Sequence, residues 1–470
     1  DRDVTGVQTC ALPISTSDFS LLPLSDSMLH NLKELGMAQM TPIQAQSLPQ
    51  ILQGRDVIAQ AKTGSGKTAA FGLGVLHQLN GKRFRVQSLI LCPTRELADQ
   101  VAKELRRLAR MSDNTKILAL TGGLPFGAQL DSLRHGVHVV VATPGRVLKH
   151  LQKGSLKLNE LKSLVLDEAD RMLDMGFIEE IEEVISYAPK QRQTLLFSAT
   201  YPTEIEQLSD AVQSNALQVE THSSEVANPI EEQFYEAQPQ QERTALLQIL
   251  AHYRPEHAMV FTNTKLEAKE LAKTLLKQGV DALAIHGDLD QIERTDVLVQ
   301  FANQSCSILV ATDVAARGLD IKSLEMVINY GLPQDDATYT HRIGRTGRAG
   351  ERGVAVTLIS GRETLAAEAY QNGVRSFELV SRLPAVEQFS LQAKNRTLVI
   401  GGGKKDKVRP GDLLGALTGD AGIDGKAVGK IDLYDRQSYV AVARNQAEKA
   451  RDRLKRGKIK GRKFTVGLLR

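Results

Sequence analysis

The sequence contains no tryptophan, and aromatic residues make up only 4% of its 470 residues. A surface rich in stacking rings is therefore not what the composition predicts. The three cysteines, Cys10, Cys92 and Cys306, lie far apart, which excludes a disulfide scaffold and a cysteine-based zinc site and fits the reducing cytoplasm. No apolar run approaches the roughly 18 residues of a membrane-spanning helix. We therefore expect a cytoplasmic protein without a membrane-spanning segment.

What the sequence does contain is a charge split, hidden by a net charge of +4. Residues 394–470 carry a net charge of +12, whereas residues 1–393 carry −8. The chain is otherwise of ordinary globular composition, with 42% hydrophobic and 24% charged residues. A basic tail on an acidic body indicates a polyanionic partner, above all a nucleic acid. A solvated basic surface with no partner is the alternative.

The order of strand-like and helix-like segments predicts three domains after an extension. We interpret residues 1–18 as a disordered or non-native extension, because their beginning shows no sustained periodicity and no signal-peptide plan. Residues 19–218 and 226–383 each contain short apolar runs that alternate with amphipathic helices, which indicates parallel sheets covered by helices on both faces. The linker is placed within 214–232. Residues 394–470 follow the order strand, helix, strand, strand, helix, strand, that of an RNA-recognition domain.

The strands predicted from these runs are 56–59, 88–91, 138–142, 163–166 and 193–197 in the first domain, and 258–261, 282–285, 307–311, 326–328 and 354–358 in the second.

A glycine-rich segment, AKTGSGKT at residues 61–68, follows a predicted strand and opens a predicted helix. This is the context of a phosphate-binding P-loop, whose backbone amides and helix N-terminus face phosphate oxygens. Lys67 supplies a charge for the β- and γ-phosphates, and Thr68 offers its hydroxyl to Mg²⁺. The strict pattern has glycine where Ala61 stands. A glycine-rich turn that binds no nucleotide is the alternative.

Two adjacent carboxylates, Asp167 and Glu168, follow the predicted strand 163–166. In parallel sheets the carboxyl ends of the strands meet at one edge, so we expect both side chains beside the phosphate loop. Asp167 can then hold hydrated Mg²⁺, and Glu168 can orient and deprotonate the attacking water. The alternative, a polar helix start with an acidic cap, fits a pair of carboxylates poorly.

The sequence Asp-Glu-Ala-Asp at residues 167–170 belongs to a series of motifs that resembles the DEAD-box RNA helicases from residue 19 to about 381. The other motifs are TPIQ (41–44), PTREL (93–97), TGG (121–123), TPGR (143–146), SAT (198–200), FTNT (261–264), HGD (286–288), ATDVAARGLD (311–320) and HRIGRTGR (341–348). The resemblance implies an α/β fold with two RecA-like domains, ATP and Mg²⁺ as cofactors, and ATP hydrolysis stimulated by RNA.

The resemblance also assigns residues to the ATP site. Its catalytic residues are Lys67, Asp167, Glu168, Arg345 and Arg348, and its metal-binding residues are Thr68 and Asp167. Its ATP-binding residues are Phe19, Gln44, Thr63, Gly64, Ser65, Gly66, Lys67, Thr68, Gly318 and Asp320, with Gln44 and a stacking aromatic ring reading the adenine. Arginines supplied from the second domain would stabilise the charge of the transition state.

The RNA contacts implied by the resemblance are Arg95, Gly122, Gly123, Thr143, Arg146, Thr312 and Arg317, and the residues that couple hydrolysis to strand separation are Ser198, Thr200 and His341. Phosphate contacts fix the register without reading bases, so this core should show little sequence preference. For Arg317, an interdomain salt bridge is the alternative.

The tail resembles the atypical RNA-recognition domain of the DbpA-like subfamily through residues 398–407 and 430–442. In that subfamily the tail tethers the motor to a hairpin of 23S ribosomal RNA during assembly of the 50S subunit. The implied RNA contacts are Lys404, Lys405, Arg436 and Tyr439. Because only Tyr434 and Tyr439 could stack on bases, we expect basic loops and strand edges to contribute more than rings do.

The sequence thus predicts a monomeric ATP-dependent RNA helicase that unwinds short duplexes near this hairpin. One alternative is a general DEAD-box remodeller or RNA-degradation helicase whose tail binds RNA without specificity. Another is an RNA clamp that does not hydrolyse ATP, against which the complete set of catalytic residues argues. A DNA translocase is disfavoured by the family resemblance.

Overall fold

The structure, a computed structural model, describes residues 17–61, 64–112, 114–221, 230–316, 319, 324–347, 352–360, 363, 377–384 and 389–469. Within these ranges, no helix is long and apolar enough to cross a bilayer. The predicted N-terminal extension falls mostly on residues 1–16, outside the described part. Asp18, its last residue, forms a β-bridge with Gln39 and therefore belongs to the first domain.

The first domain contains a seven-stranded sheet. Its strands are β1 (Val57–Gln60), β2 (Ser88–Leu91), β3 (Ile117–Leu120), β4 (Val139–Ala142), β5 (Ser163–Asp167), β6 (Gln193–Ser198) and β7 (Leu217–Glu220). They are all parallel and lie in the order β3-β4-β2-β5-β6-β1-β7. Because strand side chains alternate between faces, Val57 and Ala59 enter one hydrophobic core and Ile58 enters another.

Nine helices of the described residues supply the layers on this sheet. They are α1 (Asp26–Glu34), α2 (Pro42–Leu52), α3 (Lys67–His77), α4 (Arg95–Leu108), α5 (Phe126–Arg134), α6 (Pro144–Gln152), α7 (Ala169–Asp174), α8 (Ile178–Ser186) and α9 (Thr203–Val212). The two cores confirm the prediction of a parallel sheet that is buried on both faces.

The boundary of the first domain differs from its predicted position. Strand β7 pairs with β1 along Leu217–Glu220, so this domain extends past residue 218 into the segment assigned to the linker. In β7 only Val219 is buried, and such an edge strand has no apolar run by which to recognise it. Strand β3, at the opposite edge, was also not among the predicted strands.

The second domain repeats the topology of the first. Its strands are β8 (Glu231–Ala237), β9 (Ala258–Thr262), β10 (Ala282–Ile285), β11 (Ile308–Thr312), β12 (Met326–Tyr330), β13 (Val354–Ser360) and β14 (Phe377–Leu379), all parallel, in the order β10-β11-β9-β12-β13-β8-β14. If the strands are numbered in chain order within each domain, the two sheets have the same strand order. The described helices are α10 (Glu242–Tyr253), α11 (Lys265–Lys277), α12 (Gln291–Ala302), α13 (Asp313–Ala316) and α14 (Asp336–Ile343). The two RecA-like domains expected from the sequence are thus confirmed.

The tail forms a small α+β domain with an antiparallel sheet. Its strands β15 (Asn395–Ile400), β16 (Val428–Leu433), β17 (Ser438–Ala443) and β18 (Val466–Leu468) lie in the order β16-β17-β15-β18. The helices α15 (Pro410–Gly415) and α16 (Arg444–Arg456) complete the predicted βαββαβ order. Leu398, Val440 and Leu454 belong to its core.

The tail domain is hydrogen bonded to the second RecA-like domain. The Tyr439 hydroxyl donates to Asp296 Oδ1 on α12 at 2.7 Å. Asn303, just after α12, donates from Nδ2 to Thr397 Oγ1 at 2.9 Å in β15. Arg444, the first residue of α16, forms an ion pair with Asp281. These contacts are partly or fully buried and come from both ends of the tail sheet, so they hold the tail in one orientation on the second domain.

Candidate functional site

The phosphate loop lies between β1 and α3 of the first domain. Gly64 and Gly66 have φ angles of +88° and +94°, a region that glycine enters without strain. The Lys67 side chain is buried, and its Nζ donates to the Ala61 carbonyl at 2.9 Å. Ser65 Oγ is buried without a hydrogen-bond partner. The loop therefore has the shape, the charge and the spare polar group that suit a phosphate chain.

Residues 41–44 hold the phosphate loop in this shape. Thr41 Oγ1 donates to the Ser65 carbonyl at 2.7 Å, and Gln44 Nε2 donates to the Gly66 carbonyl at 3.1 Å. The Gln44 Oε1 atom accepts from the Thr41 amide at 2.9 Å. A Cβ atom on Gly66 would lie 2.5 Å from Gln44 Nε2. Gln44 thus supports the loop directly, and its reading of adenine stays a prediction.

Two further ATP contacts are expected from the sequence, Phe19 and Thr63. Phe19 is only 3% exposed and belongs to the core of the first domain. Its ring is packed in that core in this conformation, and its stacking on adenine stays a prediction. Thr63 lies outside the described residues.

The acidic pair lies at the carboxyl end of β5, where Asp167 is the last residue of the strand and Glu168 follows it. Asp167 is 3% exposed, and burial raises its pKa to about 7 even though nearby Lys67 acts to lower that pKa. Glu168 adopts a left-handed backbone conformation with φ of +53°, between β5 and α7. A buried carboxylate at this edge lacks full charge compensation from the protein, which is the condition that a bound cation relieves.

Asp170 connects the acidic motif with the residues expected to couple hydrolysis to unwinding. Its Oδ2 atom accepts from the backbone amide and the hydroxyl of Thr200, both at 3.0 Å. Its own amide donates to Ser198 Oγ at 3.2 Å. Two of the three expected coupling residues, Ser198 and Thr200, therefore contact the acidic segment directly. Asp170 was not assigned a role from the sequence, although its place in the motif was visible.

Two arginines expected to bind RNA converge at the same edge of the sheet. A Cβ atom on Gly122 would lie 2.8 Å from Arg95 Nη2, so glycine lets the guanidinium pack on the backbone. Arg146 donates from Nε to the Thr121 carbonyl at 2.9 Å and from Nη2 to Leu124. Burial and the charge of Arg95 lower the Arg146 pKa. Two like charges held close together suit a phosphate group.

The other two expected RNA contacts of this domain are Gly123, next to Gly122, and Thr143, three residues before Arg146. Gly123 has a φ angle of +78°, and Thr143 immediately precedes α6.

Comparison with known proteins shows where this constellation occurs. Residues 41–208 match the DEAD/DEAH box helicase family, residues 241–350 the helicase conserved C-terminal domain, and residues 397–467 the DbpA RNA binding domain. The ATP-dependent RNA helicase DbpA of Escherichia coli (strain K12) is 52% identical over 456 residues, which cover 97% of this chain and 100% of that protein. The chain belongs to the DEAD-box RNA helicases. It is an ATP-hydrolysing RNA helicase of the DbpA type with an RNA-binding domain.

Further relatives resemble the motor of this helicase. The DEAD-box ATP-dependent RNA helicase CshA of Bacillus cereus is 44% identical over 347 residues, 74% of this chain and 66% of that protein. The solved structure of S. cerevisiae Dbp5 bound to RNA and ADP BeF3 has a TM-score of 0.70 at 31% identity and covers 77% of this chain and 95% of that one. Mss116p bound to ssRNA and AMP-PNP has a TM-score of 0.68 at 28% identity and covers 76% and 77% of the two chains.

The second domain of the helicase places some of its expected site residues. Thr312 ends β11, and His341 lies on α14. The amide of Arg345 donates to the Arg342 carbonyl at 3.1 Å, just after α14. Arg317, Gly318, Asp320 and Arg348 lie outside the described residues, so their assignments stay predictions.

Arg342 is a residue of the second domain whose importance the sequence analysis missed. Its side chain is 1% exposed and donates to both Asp313 carboxylate oxygens, at 2.7 and 2.6 Å. It also donates to Asn263 Oδ1 at 2.9 Å, and its guanidinium lies 5.2 Å from the centre of the Phe261 ring. Arg342 thus joins three motif segments of this domain. Its position in the HRIGRTGR motif is visible in the sequence. Its burial is not.

Tyr439 corrects the expectation for the tail. Its side chain is 1% exposed, and its hydroxyl donates to Asp296 of the second domain at 2.7 Å. The ring therefore has no face free for a base, and Tyr439 is a docking residue rather than an RNA contact. Tyr434, which packs edge-on against Tyr439 at 5.4 Å, is the more exposed ring of the pair.

The phosphate-loop geometry predicts that Gly66→Ala weakens nucleotide binding at least about tenfold, because the new Cβ would meet both a disfavoured φ and the Gln44 amide. Titration with a fluorescent ADP analogue measures the effect. Gly54→Ala is the matched control: its φ is also positive, +79°, but its Cβ would meet nothing within 4 Å. Equal losses of affinity in the two variants would contradict the proposed clamp.

The burial of Arg342 predicts that Arg342→Ala destabilises the second domain by about 3–5 kcal/mol, because Asp313 loses its ion-pair partner. Hydrogen exchange of β9 and β11 in the full chain reports this locally. Arg243→Ala is the control, since the Arg243 side chain is 57% exposed and its ion pair with Glu270, at 3.9 Å, is worth less than about 1 kcal/mol. Unchanged exchange in Arg342→Ala would contradict the role given to this residue.

Proposed function

We propose that this helicase acts on a hairpin of 23S ribosomal RNA and remodels nearby short duplexes during assembly of the 50S subunit. The extent of the sequence similarity supports this. The DbpA relative aligns with 97% of the chain, tail included, whereas the CshA relative aligns with 74%. The alternative is a general remodeller whose tail binds RNA without specificity, and the match of the tail to the DbpA RNA binding domain disfavours it. We further propose that the helicase works in the cytoplasm as a monomer.

The observation that carries the proposal is a basic surface built from two loops of the tail. The Lys404 amide donates to the Tyr434 carbonyl at 2.9 Å, which joins the loop after β15 to the loop between β16 and β17. A Cβ atom on Gly403 would lie 2.3 Å from that carbonyl, so only glycine permits the approach. Lys404, Lys405 and Arg436 are thereby grouped at one end of the sheet. Such a group suits RNA phosphates.

The ATP site is proposed to act through the residues already located. The orphaned Ser65 hydroxyl, the buried Lys67 and the buried carboxylate of Asp167 fit a triphosphate with Mg²⁺. Thr68 and Asp167 would hold the ion, which supplies charge neutralisation at the phosphates when bound. Glu168 would orient and deprotonate the attacking water, and Lys67 would stabilise charge on the β- and γ-phosphates.

The proposal also includes contacts of Arg345 and Arg348 with the γ-phosphate. The proposed RNA contacts of the two RecA-like domains are Arg95, Arg146, Thr312 and Arg317. Arginine near the transferring phosphoryl group typically accelerates hydrolysis by about 10³–10⁵. RNA and ATP would then bind cooperatively, because each ligand favours the same state of the enzyme.

The match of the tail to the DbpA RNA binding domain predicts a preference for the ribosomal hairpin. The full chain should reach half-maximal ATPase stimulation at about 10–100-fold lower concentration of a 23S hairpin fragment than of an unrelated RNA of equal length. Combined Lys404→Ala, Lys405→Ala and Arg436→Ala substitutions should weaken hairpin binding and lower its salt dependence by roughly one unit of slope per lost phosphate contact.

The matched control removes three lysines that are exposed on α11 of the second domain, Lys269, Lys273 and Lys277. It makes the same change in net charge and should leave hairpin binding and its salt dependence intact. Tyr439→Phe should also retain hairpin binding, because that ring is buried. Equal stimulation of the parent chain by both RNAs would favour the general remodeller.

The raised pKa of Asp167, about 7, predicts that Mg²⁺-dependent ATP binding weakens as the pH falls below 7. The carboxyl group is then protonated, and the ion must displace the proton, which costs up to about tenfold in affinity per pH unit. Glu168→Gln, which should block turnover, allows ATP affinity to be measured from pH 6 to 8. A pH profile equally steep without Mg²⁺ would contradict the assignment of Asp167 to the ion.

A further inference from the structure

A buried polar pair links the two helices that follow the RNA motifs of the first domain. Helix α5 begins after the segment 121–124, and α6 begins after Thr143. Gln129 on α5 is 4% exposed, and His150 on α6 is fully buried. Their side chains meet at 3.1 Å, between His150 Nε2 and Gln129 Oε1. Buried polar groups cost free energy unless they are hydrogen bonded, so a pair in this place needs a reason.

The neighbours of this pair determine which of its atoms donates and which accepts. Gln129 Nε2 donates to the Thr121 carbonyl at 2.9 Å, which leaves Oε1 as the acceptor that faces His150. His150 Nε2 must therefore carry a proton and donate. His150 Nδ1 lies 2.9 Å from Ser155 Oγ. Burial, together with Arg146 and Lys153, lowers the His150 pKa to about 4, so the ring is neutral in this tautomer at neutral pH.

The chain of contacts ends on the groups expected to hold RNA. The Thr121 carbonyl accepts from Gln129 Nε2 and also from Arg146 Nε at 2.9 Å. The His150 ring stacks on Phe126 at 4.0 Å, and the Arg146 guanidinium lies 5.7 Å from the centre of the same Phe126 ring. Gln129 thus contacts the backbone of the TGG motif at Thr121. His150 contacts the Phe126 ring, beside which Arg146 of the TPGR motif lies.

We propose that Gln129 and His150 are positioning residues for RNA binding: they hold the segment 121–124 and the Arg146 side chain in the conformation that receives the RNA backbone. Neither residue touches RNA in this proposal. It rests on the proposed assignment of Arg146 to RNA. A fully satisfied buried network fixes one geometry where apolar side chains would allow several.

The test measures ATPase activity of the full chain against RNA concentration. Gln129→Leu and His150→Phe, which keeps the stacked ring, should raise the RNA concentration for half-maximal stimulation about tenfold, as expected for the loss of a buried hydrogen bond. The KM for ATP and the kcat at saturating RNA should change less than about twofold, since binding alone is affected. His150→Gln, whose amide can donate to Gln129, should restore most of the RNA affinity.

Three further variants make the outcome decisive. Gln129→Glu has nearly the same shape but loses the donor to Thr121, and it replaces Gln129→Leu if that variant does not fold. His135→Phe is the control, because His135 is exposed at the end of α5 and its ring contacts only the Asp131 carbonyl. Combining Gln129→Leu with Arg146→Ala should weaken RNA binding little beyond Arg146→Ala alone, because both act through one loop.

Each contrary result has one meaning. If Arg146→Ala weakens RNA binding but the Gln129 and His150 variants match the parent, the positioning role is refuted. The same holds if the KM for ATP and kcat change as much as the RNA concentration does, since the pair would then be merely structural. If Arg146→Ala itself leaves RNA binding unchanged, the proposed RNA assignment fails instead.

Discussion

All strands of each large sheet run in one direction, and this constrains where the chemistry of the helicase can lie. The carboxyl ends of such strands open onto the N-termini of the following helices, where backbone amides are unpaired. The phosphate loop follows β1, the acidic pair ends β5, and Ser198 ends β6, the strand that separates β5 from β1. Three groups far apart in the sequence thus become neighbours through strand order alone.

Within each of the two large domains, charged side chains are buried that a protein interior would otherwise exclude. Lys67, Asp167 and Arg342 are each less than about a tenth exposed, and burying a charge is costly unless it is paired or hydrogen bonded. Arg342 meets this cost within the protein through Asp313. In the Lys67–Asp167 region the cost of burying the charges is only partly offset, because burial still raises the pKa of Asp167. The Arg342–Asp313 ion pair therefore has a structural role, whereas the Lys67–Asp167 region is suited to a ligand.

This difference explains what could be predicted from the sequence. Central strands were recognised because they are apolar on both faces, whereas β7 and β8 carry polar residues and were not. The residues of the ATP loop were found because their spacing within one segment determines their geometry. The docking role of Tyr439 depends on Asp296, 143 positions away, and the Gln129–His150 pair also joins separate segments. Such contacts have no local pattern, so burial and partner were visible only in three dimensions.

Helix α12 shows how the tail and the motor share one element. Arg294 on this helix donates to the Ala315 carbonyl at 2.8 Å, at the α13 segment that follows β11. Two positions later on the same helix, the Asp296 carboxylate accepts a hydrogen bond from the Tyr439 hydroxyl of the tail. Because an α-helix is internally hydrogen bonded and moves largely as a unit, the two contacts cannot shift independently. The tail is thus fixed to the helix that also supports the motif segment after Thr312. The docking of the tail therefore constrains a motif of the second RecA-like domain as well as the position of the RNA that the tail binds.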